Sequence, residues 1–338
     1  MKILITGGAG YIGSHTIIEI LQHTDWEIIS LDNYSNSSEE TYDRIEKITG
    51  KRVQYYNVDL KNLVETQRVF DENLDIEGII HFAAFKAVGE SVEQPLMYYD
   101  NNINGFTNIL RCQEKYKVPN LIFSSSCSVY GNTTELPVTE ESPLEKTESP
   151  YAYTKRIGEM MVDDFIKANK GLRAMSLRYF NPVGAHITGF NGELSIVRPN
   201  NLVPFITQTA IGKIKSLTVY GSDYATKDGT CVRDYIHVSD IANAHVLALD
   251  YLLNEDVTLN HDIINLGTGV GVTVLEAIHA FEKVSGVKLN YTIGERRDGD
   301  VAAIYANNEK ARKLLGWTPQ YNLEDMMLSA WKWEQYIF

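Results

Sequence analysis

Residues 1–15 read MKILITGGAGYIGSH, and their interpretation decides the fold. Lys2–Thr6 is a short apolar run suited to a strand. Gly7, Gly10 and Gly13 follow at three-residue spacing, and a helical pattern opens over Tyr11–Leu21. A strand, a glycine turn and a helix in that order make a phosphate cradle. The glycines allow a tight turn, backbone N–H groups can approach a pyrophosphate, and the helix N-terminus adds partial positive charge. The G-x-x-G-x-x-G spacing departs from G-x-G-x-x-G, so alone it also fits an ordinary strand–helix turn. Its context favours the cradle, because the next strand ends at Leu31-Asp32-Asn33, about twenty residues on. An acidic side chain there accepts hydrogen bonds from an adenosine ribose and repels the extra phosphate of NADP. Asn33 stands where an NADP-binding chain often carries Arg, so NAD is the expected dinucleotide. Asp59, at the end of the third strand, suits either an adenine contact or a strand-end turn.

Outward from this stretch, β-rich runs recur at Lys2–Thr6, Trp26–Leu31, Val53–Val58, Gly78–Ala83 and Asn120–Ser124. Helical periodicity lies between them: Leu96, Tyr99, Ile103, Phe106 and Leu110 form one stripe, and Ile157, Met161 and Phe165 another after Tyr151. This alternation predicts an α/β fold, a Rossmann-type doubly wound parallel sheet over residues 1–180. Gly, Asn and Pro cluster between Asn181 and Pro204, which reads as a long loop region with ordered turns. Residues 181–338 are expected to form a second, smaller α/β substrate domain, with a segment near 232–245 returning to the first. No internal repeat or low-complexity linker divides the two.

The chain has 338 residues, 44% of them hydrophobic, and a formal net charge of −13. That length suits about two domains or one large α/β unit. The charge argues against nucleic acid or an anionic membrane surface as a bulk partner. Cys112, Cys127 and Cys231 are few, odd in number and widely spaced. A disulfide framework or a zinc site is not expected, and a reducing cytoplasm suits the composition. The N-terminus runs directly into the first strand, unlike a secretory signal, and no apolar run is long enough to span a bilayer.

The chemistry-bearing segment is Tyr151-Ala-Tyr-Thr-Lys155, which puts Tyr151 and Lys155 on one helix face. With 20 tyrosines, such a pair arises by chance about once. The preceding strand, ending Phe123-Ser-Ser-Ser126, adds weight because it delivers hydroxyls to the carboxyl edge of the sheet, where α/β folds bind ligands. Oxidising a secondary alcohol requires removal of its hydroxyl proton. A phenol with a pKa near ~10 is a poor base at neutral pH, and lowering it by about three units takes about 4 kcal/mol. One cation about 4 Å away supplies roughly that at an effective dielectric of ~20. Lys155 is the expected cation, Tyr151 the base, and Ser126 the group that holds the substrate oxygen and relays the proton.

Taken together, TGGAGYIGSH, LDNYSNS, HFAAFKAVGESV, YYDNNINGF, FSSSCSVYG, SPYAYTK, LRYFNPVGAH, PNNLVP, DGTCVRDYIHV, NLGTGVG and RRDGD resemble the UDP-glucose 4-epimerase group of the extended short-chain dehydrogenase/reductase family, over almost the whole chain. The resemblance implies catalysis by Tyr151, Lys155 and Ser126. It implies that NAD is held by Gly7, Gly10, Tyr11, Ile12, Gly13, Asp32, Asn33, Asn36, Asp59, Leu60, Phe82, Ala83, Lys86 and Asn101, with Phe180 over the nicotinamide. It assigns the UDP-sugar to Asn181, Asn201, Leu202, Arg233, Arg297, Asp300 and Ile304. Two arginines on a diphosphate also make chemical sense, since each can fork onto its oxygens. The implied reaction is inversion at C4 of a UDP-hexose through a 4-keto sugar. The implied assembly is a homodimer through helices at Leu96–Arg111 and Tyr151–Asn169.

A nucleotide-sugar 4,6-dehydratase and a UDP-glucuronate decarboxylase share these features. A dehydratase needs an added acid/base pair beside the catalytic hydroxyl, whereas this chain has Cys127-Ser128 there. A non-catalytic NAD-sensing protein is the rival from another class, and retention of Ser126, Tyr151 and Lys155 argues against it. Ile304 is intermediate in size at the position facing the sugar's 2-substituent in relatives, so slow conversion of N-acetylated sugars is expected.

Overall fold

The computed structural model describes residues 1–194, 199, 201–254, 260–296 and 301–338. Seven strands build the central sheet: β1 Lys2–Thr6, β2 Glu27–Asp32, β3 Gln54–Asn57, β4 Ile76–His81, β5 Asn120–Ser126, β6 Arg173–Tyr179 and β7 His261–Leu266. All pair in parallel, in the order β7-β6-β5-β4-β1-β2-β3. The order reverses between β1 and β4, and the crevice beyond their carboxyl ends is where such sheets take ligands.

Helices flank the sheet and build a second unit beside it. They are α1 Tyr11–His23, α2 Glu40–Thr49, α3 Leu63–Glu72, α4 Val88–Glu93, α5 Pro95–Tyr99, α6 Gly105–Tyr116, α7 Pro150–Ala168, α8 Leu202–Ala210, α9 Val238–Leu253, α10 Val274–Ser285, α11 Glu309–Leu315 and α12 Leu323–Ile337.

Alternation along β1 shows why both faces are covered. Ile3 and Ile5 pack with Ile17 and Ile20 of α1 and Ile241 and Leu249 of α9. Leu4 points the other way, into a core with Phe106 and Ile109 of α6 and Val162 of α7. A third core, built on Val203, Ile206, Phe281 and Met327, belongs to the smaller unit. Strand ends sit one or two residues from the pattern-based ones because ladder pairing, not apolarity, ends a strand. Polar Asp32 still pairs with Asn57.

Three features depart from the pattern-based expectations. The stripe from Leu96 to Leu110 is not one helical face: Leu96 is 80% exposed, whereas Tyr98, Phe106 and Leu110 are buried. A π turn over Asp100–Asn104 inserts between α5 and α6 and resets the phase. Within the stretch expected to be loop, the described residues include regular structure, since Asn181–Val183 pairs with Tyr235–His237, Ala185 bridges Gly192, and α8 starts at Leu202. The segment that packs onto the central sheet also runs past residue 245: α9 lies against α1, with Asn243 Nδ2 donating to Glu19 at 3.1 Å, and β7 extends the sheet.

Candidate active site

The glycine turn leaves β1 with Gly7 at φ +71°, a conformation glycine adopts without strain. A Cβ on Gly13 would stand 2.2 Å from the Gly7 carbonyl oxygen, and one on Gly7 would stand 2.8 Å from the Ala83 nitrogen. The backbone therefore closes up as a cradle requires. Helix α1 has Gly10 at its N-cap and no side-chain cap, which leaves its first N–H groups for a ligand. At the end of β2, one Asp32 oxygen accepts from the Ala9 N–H at 3.0 Å, the other from the Tyr34 N–H at 3.0 Å and the Ser37 hydroxyl at 2.8 Å. Burial raises the pKa of Asp32, and these donors oppose the rise.

The remaining expected cofactor residues surround this crevice. Phe82 and Ala83 follow β4, with the Phe82 N–H on the Thr6 carbonyl. Asn33 forms a local turn to the Ser35 N–H, Asn36 is exposed, and Ile12 is half-buried on α1. Asp59 accepts from the Lys61 N–H at 2.9 Å, so it makes the strand-end turn. Leu60 is buried in the core, so its backbone is what it can offer a ligand. Asn101 lies on the π turn beside Asn102, whose amide ties it to Phe85 and to Thr154 of α7. Lys86 forms an ion pair with Glu193 at 2.6 Å.

Ser149 caps α7 through the Ala152 N–H, and Pro150 sits in the first turn, where its missing N–H costs nothing. That start sets Tyr151 against the end of β5. The Ser126 hydroxyl accepts from the Ser128 N–H at 3.2 Å and from the Ser128 hydroxyl at 3.0 Å. Lys155 is buried, donates to the Ser124 carbonyl at 2.7 Å and to the Ser124 hydroxyl at 3.2 Å, and lies 6.0 Å from the Tyr151 ring centre.

Burial weighs on the electrostatics of this pair. Desolvation pushes the Tyr151 phenol up to about 12, against the opposing bond from Ser126. It pushes Lys155 down to about 7, with Glu159 countering. A dry pocket disfavours both charges, and one ammonium does not overcome that for the phenol. Besides Lys155, the cationic ring of the expected NAD+ would add a second positive charge that favours the phenolate.

Several supporting groups carry no sequence signal of their own. Glu159, one turn beyond Lys155, receives the Ser125 hydroxyl at 2.5 Å and a two-point contact from Arg178 at 2.8 and 2.7 Å. Arg178 also donates to Tyr130, which donates to Asn265. Tyr179 donates to His245 Nε2 at 2.8 Å. The tautomer follows from His245 Nδ1, which donates to the Ile241 carbonyl at 2.8 Å. Tyr179 ends β6 at the carboxyl edge, the one positional hint that marks it.

On the far side of the crevice, Phe180 and Ile304 share an apolar cluster with Val129 and Tyr130. Asn181 follows, and its Oδ1 is buried without a partner among the described residues. Asn201 stands at the N-cap of α8, just before Leu202. Arg233 is half-buried and donates to the Val301 carbonyl at 2.6 Å. Its neighbour Asp234 is buried and gathers the N–H groups of Thr268, Gly269 and Ala306, which welds this wall together. Arg297 and Asp300 lie outside the described residues. Among the described residues no group of three or more His, Cys, Asp or Glu is placed to hold a metal ion.

Comparison with known proteins agrees with this geometry. Residues 4–329 match a family model described as GDP-mannose 4,6 dehydratase. A UDP-glucose 4-epimerase of Bacillus subtilis (strain 168) is 48% identical over 334 residues, covering 99% of this chain and 97% of the relative. A UDP-glucose-4-epimerase structure from Stenotrophomonas maltophila, with bound NAD and formylated UDP-arabinopyranose, superimposes with a TM-score of 0.96 at 42% identity, covering 100% of this chain and 98% of the other. The Bifidobacterium longum enzyme in complex with NAD+ and UDP gives 0.94 at 45% identity, covering 99% and 98%.

Proposed function

The chain belongs to the UDP-glucose 4-epimerases of the extended short-chain dehydrogenase/reductase family, and from that membership we propose how its residues divide the work. It is an NAD-dependent isomerase that interconverts UDP-galactose and UDP-glucose. When bound, NAD would supply the hydride acceptor, and in its reduced form the hydride donor, for C4 of the sugar. The glycine cradle, the open N-terminus of α1 and the Asp32 carboxylate fit that dinucleotide, with Tyr11, Ile12, Asn33, Asn36, Asp59, Leu60, Phe82, Ala83, Lys86, Asn101 and Phe180 completing its site.

Tyr151 accepts the C4 hydroxyl proton and returns it. Ser126 holds the oxygen in line, and Ser128 keeps Ser126 oriented by two hydrogen bonds. Lys155 keeps positive charge next to the phenol while Ser124 fixes its position. Asn181, Asn201, Leu202, Arg233, Arg297 and Asp300 grip the UDP. The Phe180–Ile304 wall offers the hexose non-directional contact, which leaves a 4-keto ring able to turn over between the two half-reactions. Ile304 is smaller than an aromatic side chain at this position, and on that ground N-acetylated sugars are slow substrates. Residues 1–180 form the dinucleotide unit, and 181–338 supply the UDP-sugar unit apart from the segment that returns to the sheet.

The observation that carries this reading is the convergence of Ser126, Tyr151 and Lys155 at the carboxyl edge of β5, beside the switch point. The test is incubation of purified protein with UDP-galactose and separation of the products. UDP-glucose of unchanged mass is expected. A product lighter by one water would establish a dehydratase, although Cys127-Ser128 offers no acid/base pair for elimination.

Two further parts of the reading rest on the surface. Val92, Leu96 and Met160 are 58%, 80% and 60% exposed on α4, α5 and α7, which suits a homodimer through these helices. Light scattering at micromolar concentration tests it. Three unpaired cysteines suit the reducing cytoplasm, and among the described residues no helix is long and apolar enough to cross a membrane.

A further inference from the structure

One carboxylate lies between the two half-sites. Glu193 Oε1 accepts from Lys86 Nζ at 2.6 Å and from Asn201 Nδ2 at 3.0 Å. Lys86 follows β4 on the cofactor side, and Asn201 opens α8 on the substrate side. An Asn at a helix N-cap ordinarily bonds its own first turn. Here α8 has no side-chain cap, and the Asn201 amide goes to Glu193 instead.

The segment that presents Glu193 is held firmly. Gly184 accepts the Tyr11 hydroxyl at 2.6 Å, and the Ala185 N–H donates to Ser329 at 3.1 Å. Asn191 donates to Ser14 of α1 at 2.9 Å. The Glu193 carbonyl accepts from Trp333 Nε1 at 2.9 Å, and a Cβ on Gly192 would stand 2.5 Å from the Trp333 ring. The backbone is anchored at both units, so the Glu193 side chain is offered to Lys86 and Asn201 from a fixed point. Its side chain is only 15% exposed, which limits solvent screening of its charge.

Resting on the epimerase reading, we propose that Glu193 is a positioning residue that couples the cofactor half-site to the UDP half-site. A ligand that orders Asn201 changes how Glu193 is shared with Lys86, and a ligand that engages Lys86 changes what Glu193 offers Asn201. Such coupling is reciprocal: UDP must tighten NAD by the same equilibrium factor by which NAD tightens UDP. The coupling strengthens hold on the dinucleotide while the nucleotide-sugar is bound, when the oxidised sugar most needs its partner to stay.

The test measures the equilibrium dissociation constant of NAD for the full chain, with and without saturating UDP. In the wild type UDP lowers the NAD dissociation constant by about 5-fold or more, the low end of common coupling strengths. In Glu193→Ala that factor falls to about one, and in Glu193→Gln, which keeps an acceptor but loses the charge, it is intermediate. The Trp333 anchor uses the Glu193 backbone, so both variants keep it, and matching Tm values confirm intact folding. A merely structural role would lower Tm and leave the UDP factor unchanged. An unchanged factor in Glu193→Ala, or no UDP effect in the wild type, overturns the proposal. Wild-type protein that turns over UDP-galactose while the factor is unchanged in Glu193→Ala sinks this inference alone, whereas no turnover sinks the epimerase reading beneath it.

Discussion

The ammonium of Lys155 is tied at 2.7 Å to the Ser124 carbonyl and stands 6.0 Å from the centre of the Tyr151 ring. It acts on the phenol through space rather than through a direct hydrogen bond. Burial disfavours charge on both groups, raising the Tyr151 phenol and lowering Lys155.

Tyr151→Phe removes the proton acceptor and leaves the Ser126–Ser128 bonds in place. The turnover number for UDP-galactose falls by about 10²–10⁴-fold, the usual worth of a positioned acid/base. UDP affinity by calorimetry changes little. Near-wild-type turnover would remove Tyr151 from the chemistry.

Lys155 has a folded pKa of about 7, below its ordinary value near 10.5. Between those two values the unfolded chain binds more protons than the folded one, so this group's contribution to stability rises with pH; below 7 its penalty is fully present. Lys155→Met relieves the penalty. The variant should exceed the wild type in Tm by more at pH 6 than at pH 9.5, while losing activity. A difference that does not shrink with rising pH contradicts the assignment.

Gly13→Ala forces a Cβ to 2.2 Å from the Gly7 carbonyl, whereas a Cβ on Gly89 meets nothing within 4 Å. The Gly13 variant is expected to purify with little bound NAD and to lose about 1–3 kcal/mol of stability. Gly89→Ala should retain the cofactor, as read by absorbance after denaturation.

Glu159→Leu leaves Arg178 buried without its two-point partner, at 2% side-chain exposure. Breaking such a pair costs about 3–5 kcal/mol, measurable by urea unfolding. A loss under 1 kcal/mol would mean that Tyr130 and water satisfy Arg178 unaided.

Ile304 shares its cluster with Phe180. The wild type should convert UDP-N-acetylglucosamine slowly, and Ile304→Tyr should lose that conversion while keeping UDP-galactose turnover. Absence of any wild-type conversion defeats the reading of this wall.

The sheet and the dinucleotide crevice were legible because glycine spacing, the strand-end Asp32 and the Tyr151–Lys155 interval are local signals. The groups that make the site work are not local. Glu193 and Lys86 lie 107 residues apart, and Tyr179 and His245 are 66 apart, so nothing in either neighbourhood reveals the contact. Charge alone also leaves out desolvation, which raises the Tyr151 phenol and lowers Lys155, because it depends on packing that a spacing rule does not contain. The substrate-side assignments came from resemblance rather than from residue patterns.

The π turn at Asp100–Asn104 has a consequence for how this surface can change over evolutionary time. An extra residue in a helix rotates everything before it by about 100° relative to everything after it. The widened turn works as a phase shifter: it keeps Asn101 and Asn102 facing inward while allowing Leu96 to point away from the molecule. Deleting one residue there would swing the outward-facing side chains to a new bearing without moving α6. Selection can therefore rework the outer face of α5 while the cofactor wall stays where the chemistry requires it.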